Sequence, residues 1–197
     1  MANIEIEIKK IPEKINPQDI RIERISPMHK EVIESFQSYE KDLIDFLVDD
    51  ALDNQEKRIS TTHLWFLKGT NYLIGYISLL NDSLNLTSPL KNEFGNKGIN
   101  YKSLPALKIG RLCVDDRFLK KGVGKLMIQF TISIIREINK KSGCRFITLD
   151  AKRNGDRAKD SIHFYKKMGF EILKDRAKGA TPMYKDVSKI LESLNEL

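Results

Sequence analysis

The sequence predicts a mixed α/β domain with one central sheet and helices packed against it. Three observations carry this. Strand-like and helix-like stretches alternate along most of the 197 residues, as in a sheet covered by helices. Two β-rich runs, Thr61 to Lys68 and Tyr72 to Leu80, are split by Gly69-Thr70-Asn71 and read as a hairpin. A strand-like run, Ala106 to Val114, then leads through a glycine turn into the longest amphipathic stretch of the chain. The length suits one sizeable domain. The chain is 41% apolar and 31% charged, ordinary for a soluble globular protein.

The elements follow in order. Ile4, Ile6 and Ile8 alternate with Glu5 and Glu7, a short half-exposed strand, and Pro12 and Pro17 break the chain after it. Asp19 to Ile25 alternates again and reads as a strand. Ser26-Pro27 is a helix start, with serine as cap and proline in the first turn, for a helix to about Phe36. Ser38 caps a second helix to about Asn54. It carries Leu43, Phe46, Leu47 and Ala51 on one face, and Asp42, Asp45, Asp49, Asp50 and Asp53 on a solvated one. Residues 81–105 are polar, contain two prolines, and read as a long irregular connection of the kind that is often functional or mobile.

Gly124 to about Lys141 is the longest helix. Leu126, Met127, Phe130, Ile134, Ile135 and Ile138 fall at helical spacing on its core face, and Gly143 serves as its stop. Arg145 to Asp150 is a strand, Lys152 to Asp156 a basic loop, and Ala158 to Met168 a helix ended by Gly169. Phe170 to Lys174 and Met183 to Val187 read as final strands, followed by a short amphipathic tail helix. There is no internal repeat or low-complexity tract.

The chemistry concentrates in Leu119-Lys120-Lys121-Gly122-Val123-Gly124-Lys125. Two glycines one residue apart let the backbone turn tightly and approach a ligand. The first amides of a helix have no partner within it and sit at the positive end of its dipole. Strand, glycine turn and helix together form an anion site, usually for phosphate, with Lys120, Lys121 and Lys125 adding charge. The plainer alternative is a glycine turn with solvated lysines.

The remaining composition bounds the function. Cys113 and Cys144 each lie among apolar residues in an expected strand and read as reduced core residues. His29, His63 and His163 form no metal spacing, so no metal is expected. No apolar run approaches the ~20 residues of a membrane span, and the N-terminus lacks signal-peptide order; the expected location is cytoplasmic. Net charge is +7. Residues 1–100 hold 12 Lys+Arg against 16 Asp+Glu, and residues 101–197 hold 22 against 11, a local net of +11. Such asymmetry suggests an anionic partner for the C-terminal half. A phosphate-rich cofactor covers part of it, and no familiar nucleic-acid motif accompanies the charge.

Taken together, the strand Ile109 to Val114, the turn Leu119 to Gly124, the long helix, the strand Phe146 to Asp150 and then Phe164-Tyr165-Lys166-Lys167-Met168-Gly169-Phe170 resemble the GNAT superfamily of acyl-CoA N-acyltransferases. The turn resembles that family's Arg/Gln-x-x-Gly-x-Gly/Ala pyrophosphate loop, and the last segment its Phe-Tyr-x-x-x-Gly-Phe marker. The likeness covers roughly residues 20–187. It implies a central, mostly antiparallel mixed sheet flanked by helices. The implied layout is an extension over 1–18, an acetyltransferase-like domain over 19–187 and a tail helix over 188–197. A narrower likeness joins it. Pro105-Ala-Leu-Lys-Ile-Gly-Arg-Leu-Cys-Val-Asp115 is similar to the Pro-x-x-x-hydrophobic-Gly-Arg-Leu-Ala-Val-Asp segment of acetyltransferases from bacterial toxin–antitoxin pairs. Phe36 through Asn54 resembles their helical entry segment. Those toxins acetylate the α-amino group of aminoacyl-tRNA.

The resemblance implies acetyl-CoA as acyl donor. Backbone groups of Leu112, Cys113 and Val114 would pair with pantetheine, and amides of Lys120, Lys121, Gly122, Val123, Gly124 and Lys125 would hold the pyrophosphate. Tyr165 becomes the general acid toward the CoA sulfur; its alternative is a core tyrosine. Arg111 is a candidate for holding an anionic group of the substrate, with a structural salt bridge as the alternative. Lys152 and Arg153 are candidate phosphate contacts. The acceptor is a primary amine, with aminoacyl-tRNA among the candidates, and a homodimer and an antitoxin are candidate partners. The sequence departs from the family at Leu119, which replaces Arg or Gln, and at the asparagine often found before the last helix, for which Asn154 is displaced. No carboxylate lies on Lys108 to Val114 or on 72–80. An α-amine, substantially neutral near pH 8, suits a site without a dedicated base. A non-catalytic acyl-CoA-binding module on the same fold is the alternative function.

Overall fold

A computed structural model describes residues 11–153, 161–176 and 179–195. Seven strands form one sheet in the order β1-β2-β3-β4-β5-β7-β6. They are β1 (Ile20–Arg24), β2 (Thr61–Leu67), β3 (Leu73–Asn85), β4 (Ser103–Val114), β5 (Phe146–Ala151), β6 (Glu171–Ile172) and β7 (Thr181–Asp186). Every pairing is antiparallel except β4 with β5, which run parallel. A parallel pair needs a crossover. Here it is α5 (Val123–Asn139), the longest helix, which lies on one face. α6 (Ser161–Lys167) joins β5 to β6, and α7 (Ser188–Asn195) follows β7. The opposite face carries α1 (Lys30–Glu34), α2 (Lys41–Asp45), α3 (Ala51–Glu56) and α4 (Ser88–Gly95).

The core divides by face, as the period-2 alternation of strands requires. Leu107, Ile109, Ile147 and Leu149 point into the main core with Met127, Ile128 and Ile135 of α5. Leu64, Phe66, Tyr76 and Cys113 point the other way, against Phe36, Phe46, Leu47 and Ala51. Phe146 and Tyr184 meet Leu90 and Phe94 of α4 in a third cluster. At Gly75 a side chain of α5 lies directly against the backbone of the sheet. A Cβ there would stand 2.6 Å from Cε of Met127 and 2.7 Å from the carbonyl of Cys113.

Several expectations are corrected. Residues 81–105 are not an irregular connection. β3 runs on to Asn85, α4 occupies Ser88–Gly95, and β4 starts at Ser103. The polar strand residues are held by pairing from Asn81 with Leu107 to Asn85 with Ser103, and Asp82 accepts from the Thr148 hydroxyl at 2.6 Å. Tertiary pairing overrides local propensity here. The helix expected from Ser38 is interrupted by a π-helical turn over Phe46–Asp50. The first helix is shorter than expected, α1 following a 3-10 turn at Pro27–His29. α5 is not stopped by Gly143, which has no left-handed φ. The Asn139 amide closes it, donating to the carbonyls of Ile135 at 3.1 Å and Cys144 at 2.7 Å and accepting from the Cys144 N–H. Cys144 lies before β5, not in it; both cysteines are buried free thiols. Gly169, φ +78, does end α6. The strand expected at Ile4–Ile8 and the residue Asn154 lie outside the described residues.

Candidate functional site

The site begins where two parallel strands part. β4 and β5 are paired from Ala106–Phe146 to Ile109–Leu149 and no further. Gly110 causes the separation. Opposite β3, Ser78 pairs with Arg111 and Leu79 with Ile109, so Gly110 is the extra residue of a β-bulge, a device that bends a strand and re-aims the residues beyond it. A Cβ at this position would stand 2.9 Å from Leu80 Cδ2, so a larger residue would have to push that side chain aside. Beyond the bulge, Arg111 to Val114 pair with β3 on one side. Among the described residues no strand covers their other side. Leu112, Cys113 and Val114 therefore present an open backbone edge.

That edge leads into the glycine loop. Asp115, fully buried, accepts from the N–H groups of Gln37 and Arg117 at 3.0 Å each and holds the Arg117 guanidinium through Nε and Nη2 at 2.8 Å each. This clasp fixes the chain as it leaves β4. Lys120 has φ 60 and Gly122 φ 90, the left-handed conformations that turn the chain into α5. The first i to i−4 bond runs from the Leu126 N–H to the Gly122 carbonyl at 3.1 Å. The amides of Val123, Gly124 and Lys125 thus precede the helical ladder and are free to face a ligand. Val123 itself is 1% exposed, so only its backbone serves. Leu119 is exposed, as are Lys120 and Lys125, and Lys121 is half-buried. A donor with a diphosphate fits this chain: an open strand edge for an amide-bearing arm, then an amide-lined helix start with lysines at its mouth.

Tyr165 comes from α6. Its ring is packed edge-on between Phe164 at 5.1 Å and Phe170 at 5.4 Å, and it is 8% exposed. Burial holds its phenol above the usual tyrosine range, with the Cys113 thiol as a second cause. Burial also pushes the Cys113 thiol up to about 12, and Cys113 donates to Ser38 Oγ at 3.4 Å. A thiol so held is neutral at pH 7 and is no nucleophile.

Arg111 points to the α1–α3 face. Its guanidinium lies 5.1 Å from the centre of the Phe46 ring and donates to the Gly110 carbonyl at 2.8 Å. Among the described residues it forms no salt bridge. It borders a groove of about 320 Å³ lined by Phe46, Ser60, Ser78, Lys108 and Asp150. Lys108 and Asp150 are paired there at 2.7 Å.

Lys152 and Arg153 are not free phosphate contacts. Lys152 binds Asp42 at 2.9 Å and also Glu40. Arg153 binds Asp175 and donates to Thr181 Oγ1 at 2.9 Å. The Lys152 ammonium in turn holds the Asp42 carboxyl below the usual carboxylate range. Glu40 and Asp42 escaped sequence reasoning, which sought carboxylates on the central strands and treated Asp42 as solvated. They come instead from the start of α2 and face the end of β5. The acid-rich N-terminal half held the only signal.

The Acetyltransferase (GNAT) domain model matches residues 60–172, which include β4, the glycine loop, α5 and Tyr165. No curated protein matches the chain. Solved structures do. A tyrosine-to-phenylalanine mutant of KacT aligns at TM-score 0.73 and 22% identity, over 90% of this chain and 99% of its own. AtaT complexed with acetyl-methionyl-tRNAfMet aligns at 0.71 and 19%, over 90% and 99%. A tyrosine-to-phenylalanine mutant of the AtaT toxin, bound to the C-terminus of the antitoxin AtaR and to acetyl-CoA, aligns at 0.69 and 18%, over 91% and 99%. At these identities the likeness establishes the fold. With the family match over the segment that carries the loop and Tyr165, the chain belongs to the GNAT acetyltransferase family.

Proposed function

We propose that this acetyltransferase moves the acetyl group of acetyl-CoA to a primary amine by direct attack, with the α-amine of an aminoacyl-tRNA as acceptor. The observation that carries the reading is the parting of β4 from β5 at the Gly110 bulge. It opens a backbone edge that leads into the amides of α5, and Tyr165 of α6 would act from beside that edge. Pantetheine would bind along Leu112 to Val114 as an added strand, and the pyrophosphate would sit on the amides of Lys120 to Lys125.

The acceptor amine attacks the thioester carbonyl, forming the C–N bond. On collapse the C–S bond breaks and sulfur keeps the electron pair. Tyr165 supplies the sulfur with a proton and is reprotonated at the expense of the new amide nitrogen. Burial keeps Tyr165 protonated across the neutral range, as a proton donor must be. The neutral Cys113 thiol argues against an acetyl-cysteine intermediate and so for attack by the amine itself. KacT and AtaT were each solved as a tyrosine-to-phenylalanine mutant, which fits a tyrosine at the reaction centre.

The tRNA acceptor is supported by the +11 excess in residues 101–197, by the Gly110-Arg111-Leu112-Cys113-Val114-Asp115 segment, and by AtaT, which was solved with acetyl-methionyl-tRNAfMet. Arg111, exposed and without a salt bridge among the described residues, is the side chain best placed to meet an anionic part of the acceptor. An antitoxin partner is proposed on the same ground, since AtaT binds the C-terminus of AtaR. The test is incubation with labelled acetyl-CoA and separate pools of charged tRNA, protein and polyamines. Label on the amino acid of charged tRNA is expected. Label confined to protein or polyamine would replace the acceptor and leave acetyl transfer standing.

A further inference from the structure

The segment ahead of β1 is bonded to the glycine loop. Ile15 donates its N–H to the Lys121 carbonyl at 3.0 Å. Its side chain is 1% exposed and belongs to the main core with Phe118 and Val123. Its own carbonyl stands 3.9 Å from the place a Cβ of Gly122 would take. One residue thus bonds to Lys121 and lies next to Gly122. The next residues are anchored in turn. Asn16 donates its N–H to Asp19 Oδ2 at 2.9 Å, and the Asp19 carbonyl accepts from the Lys68 N–H at 2.7 Å, at the β2–β3 turn. Ile15, Asn16 and Asp19 all lie outside residues 60–172, the family match.

The loop needs such a support. Lys120 is a non-glycine residue at φ 60, a conformation that L-residues adopt at a cost. The direction of the bond matters as well. In a trans peptide the C=O and the following N–H point to opposite sides. With the Lys121 carbonyl held toward Ile15, the N–H of Gly122 is turned away from the N-terminal segment.

We propose that Ile15 is a positioning residue for the acyl donor. Its bond to Lys121 fixes the peptide plane that aims the Gly122 N–H, and so preorganises the loop for a diphosphate. The inference rests on Lys120 to Lys125 being the pyrophosphate loop. It assigns a part of the donor site to residues that the family pattern does not include.

The test compares two donors, acetyl-CoA and S-acetylpantetheine, which carries the same thioester without the pyrophosphate. Ile15→Pro removes the N–H and keeps an apolar side chain. It should raise KM for acetyl-CoA roughly threefold to tenfold, the worth of one net hydrogen bond. The kcat and the KM for S-acetylpantetheine should stay at wild-type values. Ile15→Val, which keeps the N–H, should behave as wild type with both donors. An equal change with both donors, or none with acetyl-CoA, overturns the proposal. A measurement on the unaltered chain stands whether or not the proline variant folds. Saturating acetyl-CoA should slow hydrogen exchange at the Ile15 amide, and S-acetylpantetheine should not; unchanged exchange under acetyl-CoA overturns it too. If wild type shows the same KM for both donors, the loop does not hold a pyrophosphate. The assignment of the loop then fails first and takes the role of Ile15 with it.

Discussion

Gly124 and Phe164 meet where α6 packs against the first turn of α5: a Cβ on Gly124 would stand 3.1 Å from Cζ of the Phe164 ring. The glycine that opens α5 is therefore also the residue that lets α6 pack close, and the next residue on α6 is Tyr165. The glycine loop and the helix that carries Tyr165 are joined by one contact.

The first prediction comes from that contact. The sequence alone suggests that Gly124→Val blocks the pyrophosphate in an otherwise unaffected domain. The structure adds a stability cost, since valine would press on Phe164. Overpacking of this kind costs about 1–3 kcal/mol. Calorimetric titration should show acetyl-CoA binding lost, and a urea melt should show a lower midpoint. Wild-type affinity in a folded Gly124→Val protein would remove the loop from the donor site.

Tyr165→Phe isolates the hydroxyl. The ring keeps its packing against Phe164 and Phe170, so melting temperature and acetyl-CoA affinity should change little. The kcat should fall about 10²-fold if the proton to sulfur is the main loss. Turnover at the wild-type rate would make Tyr165 a packing residue.

Asp115 predicts a loss of stability. Its carboxylate is fully buried and satisfies the Gln37 and Arg117 amides and the Arg117 guanidinium at once. Asp115→Ala leaves the Gln37 and Arg117 N–H groups without this acceptor and the half-buried guanidinium with the Ser35 carbonyl, 3.3 Å from Nη2, in place of a carboxylate. Such breakage costs about 3 kcal/mol, read from the shift of a urea melt at pH 7. A shift within the error of the melt would mean that water takes over the role of the carboxylate.

His63 sets a pH dependence. Burial lowers its pKa, with Arg24 adding to the effect, and its ring lies 5.0 Å from that of Phe130. The unfolded chain takes up the proton first as pH falls, near the ordinary value of about 6.5. Stability from the neutral ring is therefore complete above that pH and is lost as pH falls through the lowered folded value. Urea midpoints at pH 7.5 and 5 should differ less in His63→Leu than in wild type. Equal differences would assign the slope to other groups.

How much of this was legible in the sequence depends on how local each cause is. The strand, glycine turn and helix from Ala106 to Lys141 could be read because glycine spacing and helical periodicity are local signals. The same holds for Tyr165 in its Phe-Tyr-x-x-x-Gly-Phe segment. Gly110 was read only as part of a motif, because a bulge is defined by the register of a partner strand, Ser78 and Leu79 of β3. Glu40 and Asp42 were missed because their partner, Lys152, lies more than a hundred residues away in the chain. Residues 81–105 look irregular by composition, and only the pairing of β3 with β4 makes both ends of the stretch sheet. Ile15 stands alone between Pro12 and Pro17, and nothing near it in the sequence marks it as a support for a loop over a hundred residues on.

Acetyl transfer from a loop-held acetyl-CoA to an amine is tested most directly by release of the CoA thiol in the presence of charged tRNA, set beside the amount of N-acetylated aminoacyl ester recovered from the same reaction. Thiol and N-acetyl product should appear in equal amounts, and neither with uncharged tRNA. Tight acetyl-CoA binding without thiol release for charged tRNA, protein or polyamine would rule the transfer out.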